Sequence, residues 1–192
     1  MVKEMHFPKA IYAMTFSNCN EHLALGGADN TVHIVSVQTW EIIKEITVSS
    51  SILSMNFSKN NERLALGLAN GAMSLLNPHI SSDWQVVGEM DESESPVLCL
   101  DWSRNGDFFV VGRANSVSTV HDSQSIFENF FLPKAEIRTA SGSPVNSVTF
   151  DSGGNFLGNM IFKASSKIVY HCFHFQLIHQ YKSFLLISYR WR

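Results

Sequence analysis

The sequence predicts an all-β fold built of consecutive four-stranded antiparallel units, and three observations carry that prediction. Ile11–Phe16, Ile52–Phe57, Val97–Trp102 and Val145–Phe150 resemble one another, and their closing aromatics stand 41, 45 and 48 residues apart. A polar turn follows each, and in the first three units a small apolar stretch ending in glycine follows the turn. No stretch carries the 3.6-residue apolar period of a helix.

The elements follow in order. Phe16, Phe57 and Trp102 close runs that alternate or are wholly apolar, as buried strands do. The turns Ser17–Glu21, Ser58–Glu62, Ser103–Asp107 and Asp151–Asn155 are rich in residues that cap or reverse the chain. Second strands are expected at Leu23–Gly26, Leu64–Gly67 and Phe109–Gly112. A second turn sits at Ala28–Asn30, Ala69–Gly71 and Ala114–Ser116, and third strands at Thr31–Val35, Ala72–Leu76 and Val117–Val120. Fourth strands are expected at Glu41–Val48, Trp84–Glu89 and Ile126–Leu132. Four short strands in about 40–45 residues is the period of a propeller blade. One blade cannot bury both of its faces, and stacking blades around an axis covers them.

Residues 23–34, Leu-Ala-Leu-Gly-Gly-Ala-Asp-Asn-Thr-Val-His-Ile, resemble the WD-repeat pattern L-A-S-G-S-x-D-G-T-V-x-I. Residues 145–157 resemble its opening, V-x-S-V-x-F-S-P-D-G-x-x-L. The resemblance covers about residues 10–157, and it implies a WD-repeat-type β-propeller of about four blades, incomplete against the usual seven. The repeats are degenerate. Val35-Ser36, Leu76-Asn77 and His121-Asp122 hold the Trp-Asp positions, and the Gly-His that opens a unit is absent. Of the family's buried His, Asp, Ser/Thr and Trp set, only Asp29 matches, with Asn70 and Asn115 in its place in the next units. Apolar packing is therefore expected to hold the blades more than that polar set does.

The pattern divides the chain into residues 1–158, three blades and the start of a fourth, and 159–192, a divergent segment. In the latter, third and fourth strands are expected near 167–171 and 177–181. Charge divides it in the same region. Residues 1–151 hold all seventeen Asp and Glu and nine Lys and Arg, net −8; residues 152–192 hold five Lys and Arg and no acid, net +5. Two readings of the tail compete, a divergent closing or partner-binding segment and a reading frame that runs into non-coding sequence, and the doubled signal favours the second. Open faces and edges of the first and last blades invite self-association.

Composition excludes several classes. A 45% hydrophobic, 16% charged chain is not generally disordered. A net charge of −3 gives no global pull toward nucleic acid or anionic membrane. Cys19, Cys99 and Cys172 form neither a disulfide framework nor a C-x-x-C metal site and read as small core residues in a reducing compartment. No apolar run fits a secretion signal or the ~18 residues of a membrane span, so an intracellular protein, cytoplasmic or nuclear, is expected.

Catalytic chemistry is weakly signalled. His121 and Asp122, near Ser116, Ser118 and Ser123, are strand neighbours that point to opposite faces and cannot couple as a triad. Gly153-Gly154 lacks the lysine and spacing of a phosphate loop and reads as a turn. His171, Cys172, His174 and His179 are metal-ligand types without a completing cluster. No cofactor or metal is expected. Trp40 and Trp84 open fourth strands and are expected to cover the blade rim.

The resemblance implies a non-catalytic scaffold that presents loop faces to other proteins or peptides. The acidic link Asp91–Pro96 suits basic segments, and phosphorylation of Ser93 or Ser95 would add to its charge. Asp29, Ser50, Asn70, Glu92, Glu94 and Arg113 are the candidate partner-binding residues. The alternatives are a propeller-based hydrolase with its site at the channel mouth and a truncated remnant without independent function.

Overall fold

The computed structural model describes residues 4–78, 84–90, 94–123, 133–139, 142–152, 156–162, 168–178 and 183–190; residues 89–90 and the strands after residue 155 are described by backbone and pairing. Within these, sixteen strands form four antiparallel sheets of four, each in sequence order. Blade 1 holds β1 (Ile11–Phe16), β2 (His22–Gly27), β3 (Thr31–Ser36) and β4 (Ile42–Thr47). Blade 2 holds β5 (Ile52–Phe57), β6 (Leu64–Leu68), β7 (Met73–Asn77) and β8 (Gln85–Met90). Blade 3 holds β9 (Val97–Trp102), β10 (Phe108–Arg113), β11 (Val117–Asp122) and β12 (Ala135–Arg138). Blade 4 holds β13 (Val145–Phe150), β14 (Phe156–Phe162), β15 (Ile168–Ile178) and β16 (Ser183–Arg190).

The four first strands coincide with the sequence repeat. The later strands depart from it in two places. The fourth strand of blade 3 is β12, where Val117–Val120 pair with Arg138–Ala135; the expected 126–132 segment lies outside the described residues. In blade 4, β15 covers 168–171 of the expected third strand and runs on through 177–178, and β16 is the fourth strand; residues 167 and 179–181 lie outside the described residues. An apolar run drew the first expectation, whereas pairing with the third strand decides the sheet.

The turns repeat in detail. Buried Ser17, Ser58 and Ser103 each accept, at 2.9–3.0 Å, the backbone N–H five residues on. Asn20, Asn61 and Gly106 occupy one turn position with φ of 60°, 60° and 77°. Asn30, Gly71 and Ser116 do the same in the second turn. Asparagine and glycine tolerate this left-handed region best, which is why the turns are written in them.

First strands lie against one another, β1 on β5, β5 on β9 and β9 on β13. Blades meet closely because β2, β6 and β10 carry a glycine at one register position, opposite Ala13, Ser54 and Cys99. A Cβ on Gly112 would stand 2.6 Å from Val145 Cγ1 of blade 4, and one on Gly26 2.7 Å from Ile52 Cδ1 of blade 2. The next blade's leading residue thus fills the space a side chain would need. In blade 4 the same register position, opposite Ser147, holds Met160.

The core sits between blades. Ala24, Val32 and Ile34 of blade 1 pack on Ile52, Met55 and Phe57 of blade 2. Ala65, Met73 and Leu75 of blade 2 pack on Val97, Leu100 and Trp102 of blade 3. Val110 and Val120 of blade 3 pack on Val145 and Val148 of blade 4. Among the described residues, the far face of blade 1 has no such neighbouring blade. Met5 and Phe7 cover its Leu23, Leu25 and Val35, but Met14 and Phe16 stay 63% and 50% exposed, where the equivalent Met55 and Phe57 are 8% and 1%.

Candidate functional site

Two sets of connections meet at the blade end where second strands turn into third strands. They are the turns 28–30, 69–71 and 114–116 and the links that join one blade to the next. Ser51 Oγ donates to Asn30 Oδ1 at 3.1 Å, and Asn70 Nδ2 to Ser49 Oγ at 3.3 Å. The Asn115 N–H donates to Ser95 Oγ at 2.9 Å. Asp29, Ser50, Asn70, Glu94 and Arg113 all lie at this end; Glu92 lies outside the described residues.

Their surroundings differ. Glu94 is exposed, and Ser50 and Asn70 are half-buried. Asn70 Oδ1 also accepts the Ala72 N–H, which fixes the turn. Arg113 is buried at 6% exposure, and its Nη1 donates to Gly71 O at 2.8 Å and Ser95 O at 3.1 Å. It ties the blade 2 turn to the link entering blade 3, and burial pulls its pKa below the ordinary value.

Asp29 joins a chain that the sequence did not reveal. His33, on β3 and 5% exposed, donates from Nε2 to Asp29 Oδ2 at 2.8 Å, and its Nδ1 meets Glu45 Oε1 at 2.9 Å. Phe7 leans on the His33 ring at 5.0 Å. A carboxylate only accepts, so both contacts are hydrogen bonds at once only for the imidazolium. With both ring nitrogens engaged, His33 has none to offer a substrate as base. The signal was one histidine inside the apolar strand Val32–Val35, two residues before the Trp position. Blade 1 thus rebuilds a buried Asp–His contact from its own third strand.

Burial raises the Asp29 carboxyl, but the bonds from His33 and the Thr31 N–H, with the His33 charge, outweigh it and leave the pKa below its ordinary 3.8. A lowered carboxyl stabilises the fold above its unfolded pKa, and that gain is lost as pH falls through the folded value. Asp29→Asn is therefore expected to lower the unfolding midpoint in urea at pH 6. The gap should narrow as pH falls below the ordinary carboxyl value of 3.8 and through the lower folded one; a gap that does not change with pH would contradict the assignment.

Other sequence readings resolve as follows. His121 Nε2 lies 2.8 Å from Thr119 Oγ1 and its ring stacks on Phe109 at 5.2 Å, while Asp122 faces Lys134 at 3.8 Å. Trp40 is exposed, but Trp84 is buried at 5% and not at the rim. Trp84 lies edge-on to His22 of blade 1 at 5.3 Å and to Phe57 at 6.1 Å, wedged between blades 1 and 2. Cys99 donates to Val145 O at 3.4 Å, and burial pushes its thiol up to about 12, so it is a closed core group. The sequence also missed Asp101 on β9, which bridges three blades. Its Oδ1 accepts from Asn56 Nδ2 at 3.1 Å, and its Oδ2 from Thr149 Oγ1 at 3.1 Å and the Phe150 N–H at 2.9 Å.

The described residues contain no helix long and apolar enough to cross a membrane. The family described as WD domain, G-beta repeat matches residues 2–36 and 84–122. The second match starts at the outer strand of blade 2 and ends on the third strand of blade 3, so the sequence repeat is offset from the blade. No curated protein matches the sequence. Among solved structures, the β-propeller domain of Cps50 (Swd1) from Myceliophteria thermophila superposes with a TM-score of 0.74 at 12% identity, over 97% of this chain and 60% of that one. Sqt1 from Chaetomium thermophilum, bound to the N-terminus of the ribosomal protein L10, superposes at 0.72 and 14% identity, over 94% of this chain and 49% of that one. A further Sqt1 structure from the same organism gives 0.71 at 17% identity over 85% and 45%. The chain thus spans between 45% and 60% of the length of these structures. Matched by the WD-repeat model at two stretches and folded into four stacked four-stranded blades, the chain resembles the WD-repeat family in sequence there and has the β-propeller fold.

Proposed function

We propose that this chain is a non-catalytic scaffold that holds partner proteins or peptides on the loop end bearing Asp29, Ser50, Asn70 and Glu94. The observation that carries the reading is the gathering of the turns and links of three blades at one end, where hydrogen bonds hold exposed and half-buried polar groups together. The Sqt1 structure with a bound N-terminal segment supports the same use of this fold. The acids of residues 91–94 favour basic segments. Arg113 serves this end by bracing it from within. No cofactor, nucleic acid or membrane span enters the proposal, and the compartment proposed is intracellular, cytoplasmic or nuclear.

A lysine- and arginine-rich peptide titrated calorimetrically into the chain tests it. The combined variant Ser50→Ala, Asn70→Ala, Glu94→Ala is expected to bind about tenfold more weakly, from three rim contacts of about 0.5 kcal/mol each. Equal affinity with an unchanged melt, or no binding by the unaltered chain, overturns the reading. A second reading, self-association through a second copy of the chain, rests on the bare face of Tyr12, Met14 and Phe16 on blade 1.

A further inference from the structure

The first turn of blade 1 differs chemically from its counterparts. Asn60 and Asn105 of blades 2 and 3 take one position in that turn. Each accepts the preceding serine hydroxyl through Oδ1, at 2.7 and 2.8 Å, and a backbone N–H two residues on. Blade 1 has Cys19 there, which gives up that carbonyl cap for a thiol 3.3 Å from Ser17 Oγ. Glu62 and Asp107 correspond to Glu21, while Arg63 and Phe108 stand where blade 1 has His22. Thiol, carboxylate and imidazole therefore coincide in this turn and not in the turns of blades 2 and 3.

We propose that Cys19, Glu21 and His22 bind a divalent cation of the zinc class. One ligand atom from each lies within 4.8 Å of the other two. Cys19 Sγ stands 3.6 Å from Glu21 Oε2. A tetrahedron with a metal–sulfur bond of about 2.3 Å and a metal–oxygen bond of about 2.1 Å has an S···O edge of about 3.6 Å. Asn20, at φ 60° with its N–H on Ser17 O at 2.9 Å, folds the turn that brings the two together. His22 is positioned from behind, with its N–H on Ser17 Oγ at 3.0 Å and its ring edge-on to buried Trp84. Exposed Cys19 and Glu21 can rotate the remaining distance. Sulfur, nitrogen and oxygen donors together suit borderline Zn²⁺ over hard Mg²⁺ or Ca²⁺. Thiolate and carboxylate offset the ion's two charges, and three protein ligands leave a coordination position for water or a partner's side chain.

Cobalt substitution on the full chain, freed of metal by chelation, tests the site. Co²⁺ is expected to give a thiolate-to-cobalt charge-transfer band in the near ultraviolet, and Zn²⁺ to abolish it by displacement. Zn²⁺ should also slow alkylation of Cys19, read by peptide mass spectrometry, by about tenfold or more. Cys19→Asn keeps the fold, because asparagine is the native residue of the two sister turns, and should lose the band. Cys99→Ser and Cys172→Ser should keep it. A band that survives Cys19→Asn, or an alkylation rate that Zn²⁺ leaves unchanged, overturns the proposal.

Discussion

Phe57→Ala is expected to destabilise the chain by about 3–5 kcal/mol, and Phe16→Ala, at the same place in the preceding repeat, by under about 1 kcal/mol. The two phenylalanines close equivalent first strands. Phe57 is 1% exposed, packs on Ala24, Val32 and Ile34 of blade 1 and lies edge-on to Trp84. Its removal leaves a cavity between two blades. Phe16 is already 50% exposed, so its removal takes little surface from contact. Urea unfolding of both variants measures the difference, and equal losses would show that blade 1's far face is covered. The same face gives the solution test of self-association. Met14→Ser with Phe16→Ser should shift the chain toward monomer in size-exclusion light scattering while keeping its melt. An unchanged mass with an intact melt argues against pairing through this face.

Arg113→Met carries the second large expected effect, a loss of about 2–4 kcal/mol. Methionine keeps the stem's length but takes the donor away from Gly71 O and Ser95 O, which the guanidinium meets inside the seam. Charged hydrogen bonds to carbonyls are worth about 1.5–3 kcal/mol each, and a stranded buried acceptor costs about as much again, offset in part by the arginine no longer being desolvated. The loop end should loosen with it, read as faster amide exchange at Gly71 and Asn115. A midpoint and exchange pattern equal to those of the unaltered chain would show that Arg113 braces nothing.

The sequence by itself determined the repeat, the four first strands and the turn chemistry. These are legible because they are local. A strand needs its apolar alternation, and a reversal needs a Ser, Asn or Gly at one position, in every unit alike. Glycine at Gly26, Gly67 and Gly112 was visible as a pattern, but its reason, the leading residue of the next blade, is a contact between units. Tertiary structure alone decided the rest. It sent Trp84 between two blades and left Trp40 exposed, because only the former has a blade in front of it. It drew Arg113 from the loop surface into a seam, joined Asp29 to His33, and set Asp101 between Asn56 and Thr149. It also set β12 beside β11 as the fourth strand of blade 3. A residue's periodicity is written in its neighbours along the chain; whether it is buried, paired or bare depends on which blade lies against it.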